Sequence, residues 1–277
     1  MPGTREPDTF SFTLTAITRD PDLARRADAA GVDRIGVDVE RLLKRDRQRH
    51  IPDARISDHE LDDLAALGAS VRRAALFARL NSLHSQSHEE IDAAIAAGAA
   101  VVMLPYFTTP YEVERFVRLV DARARVVLLL ETAAAVVRLH EILRVDGVHE
   151  IIVGLNDLRI STGVANHFEI VASDLMTTIA GRVLDRGLRF GFGGLARVDD
   201  VTLPIPPDLV IAQHARLGSR SAWLSRSFFN GAPDHLDLGD EVRRLRERLR
   251  YWIAQPADAL DAEHARLRQH LNGLVFT

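Results

Sequence analysis

Three observations predict a closed (β/α)8 barrel with extra C-terminal helices. Short runs rich in Val, Ile, Leu and Phe alternate in strict order with amphipathic stretches, the pattern of a parallel sheet covered by helices. The chain has 277 residues and a barrel of this kind needs about 250, so one such unit and a tail fit. No glycine-rich dinucleotide fingerprint follows the first apolar run, which argues against an open doubly wound sheet. The barrel is expected over residues 1–230. Residues 231–277 are expected as helices that cap it or pack on a neighbouring subunit.

The elements follow in order. FSFTLTAIT (10–18) reads as the first strand, and PDLARRADAAG has proline at a helix start and glycine past its end. DRIGVDVE (33–40) is the second strand. A basic stretch, RLLKRDRQRHIPDARI, leads to SDHELDDLAALG, where Ser57 and Glu60 have the spacing of a capping box. ALFARLN (75–81) is the third strand and SHEEIDAAIAAG its helix. VVMLP, TPYEVERFVRLVD, RVVLLLE, AAAVVRLHEILRVDG and EIIVGLND continue the alternation, followed by one long helix near 167–187, the strand RFGFGG, the helix PPDLVIAQHARLG and the eighth strand SAWLSRS (221–227). DEVRRLRERLRYWIAQ, a Pro-Ala break and AEHARLRQHLNGL, with leucines at helical spacing, complete the chain.

Composition narrows the chemistry. A formal charge of −4 with 47% hydrophobic residues gives no electrostatic drive toward nucleic acid or anionic membrane, so a small-molecule partner is expected. The absence of cysteine removes disulfides, thiolate nucleophiles and cysteine-ligated zinc together. Of 35 basic side chains only Lys44 is a lysine. A Schiff-base aldolase needs a lysine amine, because a guanidinium stays protonated and is a poor nucleophile. Neither a basic segment followed by an apolar stretch at the start nor a run of eighteen apolar residues is present, and the cytoplasm is the expected location.

Two carboxylates stand out. Glu131 closes VVLLLE and Asp157 closes IIVGLND. If these runs are neighbouring parallel strands, their carboxyl ends lie side by side at the barrel mouth, where oxygen ligands for a hard divalent cation converge. Asn156 stands beside Asp157 as a group that supports its orientation. GFGG (191–194), with Gly193 inside it, lets backbone amides approach a carboxylate or phosphate, although a tight strand exit explains the glycines almost equally well. Of Asp38 and Glu40 only one is expected to point into the barrel, and Glu40, nearer the strand end, is favoured. Lys44, Arg47, Gln48 and His50 form a basic loop that reads either as a solvated stretch or as a lid over an anionic substrate. His214 falls in a helical pattern and reads as structural.

The segment FARLNS…AAGAAVVMLP…LLLETAAAV…VHEIIVGLNDLRISTG (77–163) resembles the HpcH/HpaI aldolase and citrate lyase β-subunit family of pyruvate/phosphoenolpyruvate barrels. The matching motifs are an Arg-x-Asn strand, a Glu-Thr after strand five and an Asn-Asp-Leu after strand six. Asp38-Val39-Glu40, GFGG and LGSRSAWLSRS extend the likeness over most of residues 10–230. The resemblance implies that Glu131 and Asp157 hold Mg2+, or Mn2+ or Co2+, that this ion chelates a pyruvate-like unit, and that Arg79 contacts the forming enolate oxygen. Members that act as hydroxy-oxo-acid aldolases carry a histidine directly after the acidic pair of strand two, where this chain has Arg41. Members that act on CoA thioesters open with a different loop after strand one than TAITRDPD, so a free or sugar-like substrate is a better expectation than an acyl-CoA.

The function expected from these residues is a metal-dependent, class II type carbon–carbon lyase or aldolase that works through a pyruvate-type enolate. Arg79 shares the enolate charge, Glu40 orients a metal-bound water, and that water or His84 moves the proton. Lys44, Asn156 and Gly193 join Arg79 in binding substrate. Two alternatives stay open: Claisen-type, ester or phosphoenolpyruvate chemistry on the same metal site, and a non-catalytic metabolite-binding homologue. A homo-oligomer is expected.

Overall fold

Each strand is a short apolar run whose alternate side chains face the lumen and the surrounding helices. The computed structural model describes residues 11–42, 57–229 and 237–273. The strands are β1 (Thr13–Ile17), β2 (Arg34–Asp38), β3 (Ala75–Arg79), β4 (Val101–Leu104), β5 (Arg125–Leu130), β6 (Val148–Val153), β7 (Arg189–Leu195) and β8 (Ser221–Leu224). They pair in parallel, in chain order, and close into a barrel. Closure is made by β1, where Thr15 is in register with Arg34 and Thr13 with Ser221.

The outer layer comprises α1 (Pro21–Ala29), α2 (Leu61–Ser70), α3 (Ser87–Ala96), α4 (Pro110–Val120), α5 (Ala133–Val137), α6 (Leu139–Ile142), α7 (Leu155–Thr162), α8 (His167–Val171), α9 (Asp174–Asp185), α10 (Pro207–Arg216), α11 (Arg226–Phe229), α12 (Leu238–Ile253) and α13 (Ala257–Gly273). Among the described residues no helix is long and apolar enough to cross a membrane. α12 packs against α10 and α1, which is the place of the helix that follows the eighth strand in the ring of a barrel. α13 returns over α10. Arg248 and the Trp252 indole both bond the Asp208 carboxylate at the start of α10, the indole at 2.8 Å. Arg246 donates to the carbonyls of Phe12 at 2.9 Å and Gly31 at 2.7 Å, tying the ring helix to both ends of the β1–α1 unit.

Several local expectations are corrected. The helix after the basic loop starts at Leu61, not at Ser57. Glu60 is its N-cap and the Asp63 carboxylate accepts the Glu60 N–H at 2.8 Å, while Ser57 Oγ accepts from His59 N at 3.3 Å. The single helix near 167–187 is two, because Ser173 Oγ accepts from Met176 N at 3.2 Å and so starts a new helix. AAAVVRLHEILRVDG forms the two short helices α5 and α6. Asp157 does not close a strand: β6 ends at Val153, and Asp157 lies in the first turn of α7.

The lumen is divided. Phe77, Val101, Met103, Val127, Leu129 and Ile152 from β3 to β6 form one apolar cluster. Against it, Thr13, Thr15, Gly191 and Ser221 from β1, β7 and β8 present small or polar positions. Arg34 of β2 reaches Glu150 of β6 across the barrel at 2.6 Å, with both side chains buried.

Candidate functional site

The last residue of β5, Leu130, is in register with Val153, the last of β6, so the next pair up sets Glu131 beside Gly154. Glu131 is 2% exposed, and its Oε1 accepts the backbone N–H of Tyr106 at 3.0 Å. A Cβ on Gly154 would lie 2.6 Å from Glu131 Oε2 and 2.8 Å from its Cβ. Gly154 is also the N-cap of α7, with Asp157 buried in the first turn, where the helix dipole favours a carboxylate. One acidic group of the sequence motif therefore packs on the glycine that starts α7, and the other stands in the first turn of that helix.

This donor set suits a hard dication. Both carboxylates are buried oxygen donors, and the missing Cβ of Gly154 lets the Glu131 side chain pack directly against the start of α7. Among the described residues no three His, Asp or Glu side chains form a cage. An ion such as Mg2+ commonly takes one or two carboxylates and fills its other positions with water and substrate oxygens.

Arg79 ends β3 and turns into the mouth. Its Nε donates to Asp38 Oδ1 at 2.8 Å and its Nη2 to Asp38 Oδ2, with Glu40 Oε2 at 3.6 Å and the Trp223 ring centre 5.8 Å away. Burial would pull the guanidinium toward neutrality, but Asp38, then Glu40 and Glu131, hold its pKa well above the ordinary arginine value. The expectation that only one of Asp38 and Glu40 points inward is corrected. Both are buried and both meet Arg79, because residues two apart in an extended segment share a face, and the chain stays extended past the end of β2.

The segment after β2 is clasped from β3. Asn81 Oδ1 accepts the N–H groups of Arg41 at 2.8 Å and Leu42 at 2.9 Å, and Asn81 Nδ2 donates to Glu90 at 2.5 Å. Arg41 reaches the His59 carbonyl at 3.0 Å and Glu60 at 3.6 Å, tying the residues after β2 to those before α2. His84 lies in a cavity of about 700 Å³ with Arg41, Asn81 and Glu90. Its Nδ1 accepts Gln86 N–H at 3.2 Å and its Nε2 is 3.4 Å from Glu90 Oε2. Lys44 lies outside the described residues, as do Arg47, Gln48 and His50.

The remaining expected residues are more dispersed. Asn156 is exposed, one residue before buried Asp157, since successive helix positions turn through about 100°. Gly193 has φ +47 and its Cβ would come 2.7 Å from Leu155 Cδ1, so close packing against the start of α7 accounts for this glycine. His214 is buried in α10, stacked on Phe192 at 3.8 Å, with Ser219 Oγ 2.9 Å from Nδ1. Burial pushes its pKa down to about 3.

Two residues of the mouth had no sequence signal. The first is Tyr106. The second is His59, whose Nδ1 accepts the Asp38 N–H at 3.2 Å; burial lowers its pKa despite the neighbouring Asp38, Asp63 and Asp58. With Nδ1 occupied, the neutral ring presents Nε2–H, a donor.

The sequence model of the HpcH/HpaI aldolase/citrate lyase family matches residues 14–185. No curated protein matches the chain by sequence. Among solved structures, an HpcH/HpaI aldolase from Desulfitobacterium hafniense DCB-2 superposes with a TM-score of 0.60 at 16% identity, over 96% of this chain and 95% of that one. An HpcH/HpaI aldolase/citrate lyase family protein from Burkholderia cenocepacia J2315 gives 0.60 at 17%, over 88% and 95%. The citrate synthase SbnG gives 0.53 at 19%, over 78% and 85%. At these identities the superpositions show a shared fold.

Proposed function

The chain belongs to the HpcH/HpaI aldolase/citrate lyase family, and from that premise we propose that it is a divalent-metal-dependent carbon–carbon lyase or aldolase acting on a pyruvate-type 2-oxo acid. The observation that carries this reading is the pair of buried carboxylates, Glu131 packed on Gly154 and Asp157 in the first turn of the helix that Gly154 starts. They would hold Mg2+, or Mn2+ or Co2+ in its place. Making or breaking a bond at carbon 3 of a 2-oxo acid passes through an enolate, and the bound dication supplies positive charge that stabilises its oxygen.

The chain's own residues supply the rest. Arg79 binds the developing oxyanion as a permanently charged donor. Asp38 and Glu40 fix its fork and keep it protonated. Trp223 and Phe77, in edge contact at 5.4 Å, close the lumen beneath it, and an apolar floor strengthens charge interactions above it. A metal-bound water or His84 is the proposed carrier of the substrate's proton, with Glu90 Oε2 3.4 Å from His84 Nε2 to orient the ring. Lys44, Asn156 and Gly193 are proposed contacts for the remainder of the substrate.

Calorimetric titration of oxalate, a mimic of pyruvate enolate, into metal-free and Mg2+-loaded protein tests the reading. Binding should require Mg2+ and should be lost in Glu131→Gln. Metal-independent binding, or a Glu131→Gln variant with unchanged activity, sinks it. A Claisen-type condensation is the second reading, favoured by the likeness to a citrate synthase, and product analysis with labelled pyruvate separates the two. Arg41 in place of the aldolase histidine also suits a metabolite-binding homologue, which would bind oxalate tightly and turn over no 2-oxo acid.

A further inference from the structure

We propose that Tyr106 and Gly154 are positioning residues that together aim the Glu131 carboxylate; the inference rests on the reading of Glu131 as a cation ligand. Tyr106 has φ +51, in the left-handed region that aromatic residues rarely occupy. The other non-glycine residues with positive φ among the described ones, Asp121 and Ala122, follow α4, where a left-handed C-cap is ordinary. Tyr106 follows Pro105 at the end of β4 and terminates no helix. What its conformation achieves is to turn its N–H onto Glu131 Oε1 at 3.0 Å. Because the Phe107 carbonyl is held by the Thr132 hydroxyl at 2.8 Å, a relaxed, negative φ would have to tilt the Pro105–Tyr106 peptide plane and carry that N–H off Glu131. Strain held at one residue and discharged on one functional atom is the pattern of a pre-organised site.

Gly154 acts on the other oxygen. Its φ of −80 and ψ of 95 are open to any L-residue, so backbone freedom does not explain a glycine here. Space does: a Cβ would sit 2.6 Å from Glu131 Oε2 and 2.8 Å from Glu131 Cβ, closer than real contacts allow. One oxygen is held by a backbone donor, and the bare Gly154 backbone lets the carboxylate seat against the start of α7, the helix that carries Asp157 in its first turn. Neither residue touches the reacting atoms; both act through Glu131.

The test is calorimetric titration of Mn2+ into the full chain and into Tyr106→Gly, Tyr106→Val and Gly154→Ala, with the electron paramagnetic resonance spectrum of the bound ion recorded for each. Glycine adopts the left-handed conformation freely and keeps the N–H, so Tyr106→Gly should retain wild-type affinity and spectrum. Valine resists that conformation, and Tyr106→Val should bind roughly 10- to 100-fold more weakly with an altered spectrum, the range seen when the groups that orient a metal ligand are lost. Gly154→Ala should weaken binding similarly; if it fails to fold, the Tyr106 pair decides alone. Equal weakening by glycine and valine would assign the effect to the tyrosine ring and overturn the proposal, as would no weakening by either. Wild-type protein that binds no Mn2+, or binds it as tightly as Glu131→Gln, removes the metal reading itself and this inference with it. Glu131-dependent binding that the Tyr106 variants do not split overturns only the inference.

Discussion

A guanidinium shared by two buried carboxylates is at once a binding group and a structural strut, and Arg79 has both roles. Replacing Arg79 with Met removes the cation that Asp38 and Glu40 share and should cost about 3–5 kcal/mol in urea unfolding, the usual penalty for breaking a buried pair. Arg79→Lys keeps a charge but not the fork, and should fold while losing oxalate affinity. His214 predicts the pH response. Its folded-state pKa is depressed by burial to about 3 from 6.5, so below pH 6.5 the unfolded chain takes up a proton that the folded chain refuses. Stability should therefore fall as pH drops from 6.5 toward 3, by up to about 1.4 kcal/mol per unit from this group. Urea titrations at pH 7 and pH 5 should show that His214→Gln reduces the pH-dependent loss by about 2 kcal/mol. Arg79, Glu131 and Asp157 were legible in the sequence because each stands at or just past the end of an apolar run that the barrel rule brings to one rim. Tyr106 and His59 were not. One acts through a backbone angle and the other through a partner 21 positions away, and neither leaves a local pattern.

Helix starts show how far an element can be read from its letters. At α4 the Thr109 hydroxyl and the Glu112 carboxylate cap each other's backbone, Glu112 Oε2 accepting from Thr109 N at 2.7 Å and from Thr108 N at 2.9 Å. Burial would raise the Glu112 pKa, but these backbone and hydroxyl donors lower it. Thr109→Ala should cost about 1 kcal/mol, seen as a lower urea midpoint at unchanged slope. The same four-residue spacing at Ser57 to Glu60 does not start a helix, because Asp63 caps the Glu60 N–H three residues further on. Of two overlapping caps, the one whose following turn buries Leu64 and Leu67 prevails. The break at Ser173 was hidden for a related reason: the apolar positions of α8 and α9 read as one periodic run until the Ser173 hydroxyl takes the Met176 N–H. The motif Leu-Asn-Asp reads as a strand end by hydrophobicity, yet Gly154 turns the chain into α7 before Asp157.

Across the whole molecule, strand count follows from alternation, and barrel closure from alternation together with the length and the missing dinucleotide fingerprint, whereas the polar half of the lumen was not foreseen. Arg34 and Glu150 look like ordinary surface charges at strand starts, and only the closed barrel brings β2 and β6 across from each other at 2.6 Å. Arg34 Nη1 and Glu150 Oε1 have no protein hydrogen-bond partner among the described residues, so the pair is incompletely compensated. Arg34→Met alone should cost about 3–5 kcal/mol by stranding Glu150, and the double replacement Arg34→Met, Glu150→Leu should recover most of that loss in a double-mutant cycle. The role of α12 in the ring also emerges only in three dimensions, since Arg246 meets Phe12, 234 positions earlier in the chain. That tie has a kinetic consequence. β1 pairs with β8 as well as β2, so while the chain leaves the ribosome one edge of its first strand waits for nearly the whole sequence to emerge. Closure should be the last and slowest step of folding. Hydrogen-exchange pulse labelling during refolding should find the amide of Thr13, which donates to the Arg220 carbonyl just before β8 at 2.8 Å, protected only after those of β4 to β6, and protected together with β8.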